Sequence, residues 1–195
     1  KALSDGKYPY LPALDYMLES RTTMKEEHVG LCEIPLDFVV GTVTTGRQDA
    51  FARNFMPLLP PDTEFAGKWM SLYDYQTEEG IADAITVIEF MGKFYVQEGN
   101  KRVSVLKYLE QPMILANVTR ILPPKSDSTE VKIYYEFLKF YKCTSIYTIT
   151  FSEPGGYEKL ATLVGTELTD SFWPEETIMD LKSAFLAFSK CYKAA

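Results

Sequence analysis

Hydrophobic positions along the chain change period several times, and each change marks an element. Leu11, Leu14 and Leu18 share one face at helical spacing, so Pro9–Thr23 is predicted as a short amphipathic helix with Pro12 in its first turn. Leu31, Glu33, Ile34 and Leu36 read as a first strand that Pro35 ends or bulges. Beyond the polar loop Gly41–Arg47, the residues Phe51, Phe55 and Leu58 fall at i, i+4 and i+7. That spacing predicts a helix over Gln48–Leu58, stopped by Pro57, Pro60 and Pro61. A further helix, Glu64–Gln76, is capped by Asp62 or Thr63, buries Phe65, Trp69 and Leu72, and ends at Gly80.

The pattern then turns to strands. Ile85–Phe90 and Phe94–Gln97 predict a hairpin closed by Met91-Gly92-Lys93. The hairpin runs into Glu98-Gly99-Asn100-Lys101-Arg102, from which a helix opens with Val103, Leu106 and Leu109 on one face, and Ile114–Leu122 is another strand. Pro123–Thr129, a shift from proline to polar residues, is the clearest break. After it come an aromatic helix (Val131, Tyr134, Tyr135, Leu138, Tyr141), a strand at Ile146–Phe151, a helix over Tyr157–Val164, and a last helix aligning Ile178, Leu181, Phe185 and Phe188. The expected fold is α+β, with a small mixed sheet flanked by helices. Residues 1–30 form a helical lead-in, 31–123 the main domain, and 131–195 an α/β extension packed on it.

Composition narrows the partners. The chain has 195 residues, 46% hydrophobic and 24% charged, which suits a globular protein with a real core. No apolar run approaches membrane-span length and no signal-peptide pattern opens the chain, so the expectation is a cytoplasmic protein without a membrane partner. The first residue is Lys rather than Met, as expected of a piece of something longer. Cys32, Cys143 and Cys191 are far apart and read as reduced thiols, and with His28 as the one histidine, a surface residue, no zinc site is expected. A net charge of −7 disfavours DNA, whose non-specific binding rests on Lys and Arg, but conflicts less with one small anion held at a focused site. Oligomeric state is left open.

The stretch with chemistry is Glu98–Arg102. A helix start leaves N–H groups unmet and carries partial positive charge, Gly99 permits a turn and close approach, and Lys101 and Arg102 add two full charges. Phosphate is the expected anion. Arg102 leads, because a guanidinium grips phosphate in bidentate fashion, and Lys101 adds a point charge. Arg102→Ala is accordingly expected to lower nucleotide affinity by about tenfold or more while barely moving the melting temperature. Asn100 either donates its amide to phosphate or caps the helix. Glu98 either holds Mg²⁺, with a catalytic part, or pairs with a neighbouring cation. Arg47 is a second basic residue for the site or a solvated loop arginine, and Lys68 and Ser71 face the pocket or lie on the outer helix face. Glu153-Pro154-Gly155-Gly156 enters a helix too, but lacks an adjacent base and reads as a structural turn.

Strand, Arg-bearing loop, helix, Gly80-Ile81, hairpin, Glu98-Gly99-Asn100-Lys101-Arg102-Val103, helix and strand, in that order over about Glu33–Leu122, resemble the ParB/sulfiredoxin superfamily. Gly80-Ile81 before Ile85-Thr86-Val87 is similar to its Gly-Ile/Leu-x-x-Pro-Ile-x-Val segment, with Ala84 where proline is usual. Lys68-x-x-Ser71-Leu72-x-Asp74 is similar to a sulfiredoxin helix that reaches the nucleotide, with Tyr75 in place of its threonine. The resemblance implies a turn that holds nucleotide phosphates (ATP or CTP, with Mg²⁺), contributed to by Gly99–Arg102, Arg47, Lys68, Ser71, Gly80 and Ile81. Sulfiredoxin chemistry itself is excluded, because Asn100 stands where its cysteine is needed and an amide is no such nucleophile. No helix-turn-helix follows. The leading expectation is a regulatory nucleotide- or phosphate-binding module. The alternatives are a ParB-like nuclease, NTPase or small-molecule kinase, and a DNA-associated or protein-interaction module with a degenerate site.

Overall fold

A computed structural model describes residues 9–18, 24–80 and 83–194, with the side chains of 47, 48 and 192–194 outside the description. The chain divides into two compact units, Lys1–Pro124 and Lys125–Ala195. Unit one is built on a five-stranded mixed sheet flanked by helices, its strands lying in the order first, fifth, third, fourth and second along the chain. Its strands are β1 (Lys25–Pro35), β2 (Val39–Thr42), β3 (Ile85–Phe90), β4 (Lys93–Glu98) and β5 (Met113–Leu122). β1 pairs antiparallel with β5, β5 parallel with β3, β3 antiparallel with β4, and β4 parallel with β2.

The hairpin β3–β4 has a local cause. Phe90 faces Lys93 across Met91 and Gly92, at φ 50° and 73°. Both central residues at positive φ match the twist of the flanking strands, and glycine at the second lowers the strain. The Gly92 N–H donates to Glu89 Oε1 at 2.7 Å. Glu89, fully buried, also faces Arg120 across the β3–β5 ladder and ion-pairs with it. On the opposite sheet face, Ile88, Tyr95 and Ile121 pack with Leu14, Leu18 and Val43.

Among the described residues of unit one there are three α-helices. Among the described residues the lead-in shows a single turn, α1 (Leu14–Met17), whose N-cap, Ala13, offers no side-chain acceptor; residues 19–23 of the expected helix lie outside the described residues. β1 begins at Lys25, so the sheet enters the segment assigned to the lead-in. α2 spans Glu64–Glu78 and is capped by Thr63, whose hydroxyl accepts from Ala66 N–H at 3.3 Å. α3 spans Asn100–Tyr108. The helix expected at Gln48–Leu58 does not form. A 3-10 stretch ends at Ala50, Phe51 bridges Pro57, and Phe55 sits at φ 66°. Phe51 and Phe55 are nonetheless buried, so the spacing reported burial and not backbone.

Unit two is helical: α4 (Thr129–Thr144), α5 (Gly156–Leu163) and α6 (Glu175–Ala194). The strand expected at Ile146–Phe151 is irregular chain, so the α/β extension is corrected to an α one. Its apolar residues are buried through aromatic packing. Tyr157 lies 5.0 Å from the ring of Phe140 and 4.8 Å from that of Phe151, and its hydroxyl donates to the Ile149 carbonyl at 3.1 Å. Both carboxylate oxygens of Glu136 accept from Gly155 N–H, at 2.9 and 2.7 Å. The protein's own anion fills this helix start, as suits a structural turn.

Burial first, and the charge of Glu136 second, push the Tyr157 phenol up to about 12 from its ordinary 10.0. Between those values the unfolded chain releases the proton and the folded chain keeps it. The contribution is therefore complete below pH 10 and lost as pH rises toward about 12. Denaturant midpoints measured across this range should fall more steeply for the wild type than for Tyr157→Phe; parallel curves would contradict the burial of this hydroxyl.

Candidate functional site

β4 ends at Glu98 and α3 begins at Asn100, so the whole change of direction falls on Gly99 at φ 107°, ψ 18°. A Cβ there would lie 2.4 Å from Ile85 Cγ2 on β3. Both backbone and space thus require glycine. The first helical bond runs from Val103 N–H to the Gly99 carbonyl at 3.1 Å, so the N–H groups of 100–102 precede the ladder and point out of the helix end.

Arg102 is held by the protein itself. Its Nη1 donates to the carbonyls of Ala84 at 2.8 Å and Asp83 at 3.1 Å, and its Nη2 to Glu98 Oε2 at 2.5 Å. The guanidinium ties the approach to β3, the end of β4 and the first turn of α3 together. This revises its expected part as the leading phosphate grip: three donors are committed, and the side chain is only 16% exposed. Glu98 takes the ion-pair alternative. At the other end of α3, Lys107 Nζ donates to the Leu36 carbonyl at 2.6 Å. Burial lowers its pKa, and the charge of Asp37 opposes that shift.

The turn borders a cleft of about 280 Å³ whose other walls are Phe51, Phe65, Leu72 and Gln97. Phe65 and Leu72 lie two turns apart on α2. α2 is fixed to α3 by the Trp69 indole N–H, which donates to Ser104 Oγ at 2.8 Å. The Phe51 and Phe65 rings meet edge to face at 5.3 Å. Lys101 Nζ lies 4.6 Å from the Phe65 ring centre, a cation–π contact at the aromatic wall. Asn100 is the first residue of the helix and not its cap, which is Gly99; the Asn100 Oδ1 is buried and has no hydrogen-bond partner among the described residues.

Of the expected site residues, the structure gathers Glu98, Gly99, Asn100, Lys101 and Arg102 around this cleft. Lys68 is not among them: it is exposed and paired with Glu64 at 2.5 Å. Ser71 Oγ donates back to the Gly67 carbonyl at 3.1 Å. Both take the outer-face reading, because the face of α2 that meets the cleft carries Phe65 and Leu72. Gly80 ends α2, its N–H reaching the Tyr75 carbonyl at 3.2 Å. Ile81 lies outside the described residues, as does the side chain of Arg47, whose backbone belongs to the 3-10 stretch Thr45–Ala50. Among the described residues no group of three or more His, Cys, Asp or Glu gathers as metal ligands, and Glu98 has one oxygen on Arg102. Sequence reasoning placed Phe51, Phe65 and Leu72 in the core and passed over Gln97. The signal for the wall was the i, i+7 pair Phe65 and Leu72, both half-buried on a helix that buries no residue fully.

No family model and no curated protein matches the chain. Among solved structures it is similar to sulfiredoxin from Arabidopsis thaliana, at 23% identity and a TM-score of 0.31, over 45% of this chain and 82% of that one. The α+β assignment rests on the sheet order and helices described above. No helix among the described residues is long and apolar enough to cross a membrane.

Because Arg102 bonds the protein's own oxygens, Arg102→Met should cost about 1–3 kcal/mol of unfolding free energy. That replaces the expectation of an unchanged melting temperature. Gly99→Ala should cost about 2–4 kcal/mol, from positive φ and the clash with Ile85. Denaturant unfolding measures both, and wild-type stability for either variant would contradict the junction described.

Proposed function

We propose that unit one binds a nucleotide or another phosphate ester in the cleft beside α3, as a regulatory binding module. The phosphates lie at the start of α3, and the rest of the ligand lies against Phe65 and Leu72. One observation carries the reading: the Lys101 ammonium stands at a glycine-turned helix start, across from an apolar wall. A charged donor and helix N–H groups suit phosphate oxygens. Phe65 offers a ring face for a base, with the Lys101 ammonium beside it for the phosphates. Arg102 serves by fixing the turn, and Mg²⁺ enters with the phosphates.

Charge-assisted bonds contribute about 1.5–3 kcal/mol each and the helix terminus about 0.3–1. Two or three such bonds support about micromolar affinity once the costs of association are subtracted. Binding needs no more than these groups, whereas the nuclease, NTPase and kinase alternatives need a base and metal ligands as well.

Calorimetric titration with ATP, CTP and tripolyphosphate, each with and without Mg²⁺, tests the reading, with phosphate release scored separately. A nucleotide is expected to bind more tightly than tripolyphosphate. Lys101→Ala should weaken binding by about tenfold with little change in melting temperature. No heat from any of the three, or Lys101→Ala binding like the wild type, would overturn the assignment.

A further inference from the structure

α6 carries a second stripe, apart from the one it buries. Ile178 and Leu181 are buried, yet Met179 is 60% and Leu186 57% exposed. At about 100° per residue, Glu175, Met179, Lys182, Ser183, Leu186 and Lys190 fall within about 60° of one line on the helix, at the alternating spacing of a helix–helix seam. Glu175, Lys182, Ser183 and Lys190 are exposed as well. Among the described residues Glu175 and Lys190 make no ion pair.

The stripe is complementary to itself when reversed. Placed antiparallel to its own copy about a two-fold axis between positions 182 and 183, it sets Met179 opposite Leu186 of the second copy, twice. The same register sets Glu175 opposite Lys190, also twice. A parallel arrangement would set Glu175 against Glu175 and Lys190 against Lys190. One like-charge pair remains, Lys182 near Lys182 at the axis, where the long stems can cover the apolar layers while the ammonium groups reach water.

We propose that α6 is a self-association surface, and that two copies of this chain pair through it antiparallel and symmetrically. Two apolar layers on one helix face fall below the area of a strong interface, so the dimer is weak, with a dissociation constant of about 10–100 µM.

Sedimentation equilibrium of the 195-residue chain up to about 300 µM tests this. The wild type should approach dimer mass. Leu186→Glu and Lys190→Glu should be monomeric, with unchanged circular dichroism. The double variant Glu175→Lys/Lys190→Glu should recover the dimer, because the exchanged charges again oppose each other. Lys182→Ala should tighten it severalfold by removing the one repulsive pair. A monomeric wild type, or a dimer indifferent to Lys190→Glu and Leu186→Glu, would overturn the proposal. Failure of the charge exchange to restore association would overturn the antiparallel register.

Discussion

The guanidinium of Arg102 holds three pieces of backbone in place, and the cleft depends on that hold. Thr86 and Glu98 pair across the hairpin, with a register irregularity beside Thr86, so the chain entering β3 and the chain leaving β4 are neighbours with a loosened ladder. Arg102 bridges this gap by bonding two carbonyls from the first and a carboxylate from the second. Gly99 then lets α3 start directly against Ile85. With one cation spent on the fold, the adjacent one, Lys101, is the charge turned toward the aromatic wall. Two cations adjacent in sequence have divided their work.

The two glycine-capped helix starts show what this division means. At α5, Gly155 N–H is held by a carboxylate from α4. At α3 the nearby carboxylate of Glu98 is drawn off by Arg102. Among the described residues no hydrogen bond reaches the N–H of Asn100 or Arg102. Similar backbone chemistry gives a helix start bound by a carboxylate in one unit and, in the other, a start whose nearby carboxylate is bound to a guanidinium instead.

Much of the fold was legible because its causes are local. The hairpin, its two-residue turn, the glycine junction and the Thr63 cap follow from residue types at short spacing. What failed were inferences from burial to backbone. Phe51 and Phe55 are core residues at helical spacing in a loop that is not a helix, and Ile146, Tyr147 and Ile149 are buried without a strand partner. At the site, the sequence located the turn but not the aim of its side chains. Whether Arg102 faces a ligand or a carbonyl depends on where β3 begins, seventeen or more residues away in the chain. Whether Lys68 or Phe65 borders the cleft depends on the rotation of α2, set by Trp69 meeting Ser104.

The most direct measurement is an amide NMR titration of the wild-type chain with ATP. The account predicts that the N–H resonances of Asn100, Lys101 and Arg102 shift most and saturate together, with smaller effects at Phe65 and Leu72. Saturable shifts confined to other parts of the chain, or none at millimolar ligand, would contradict it.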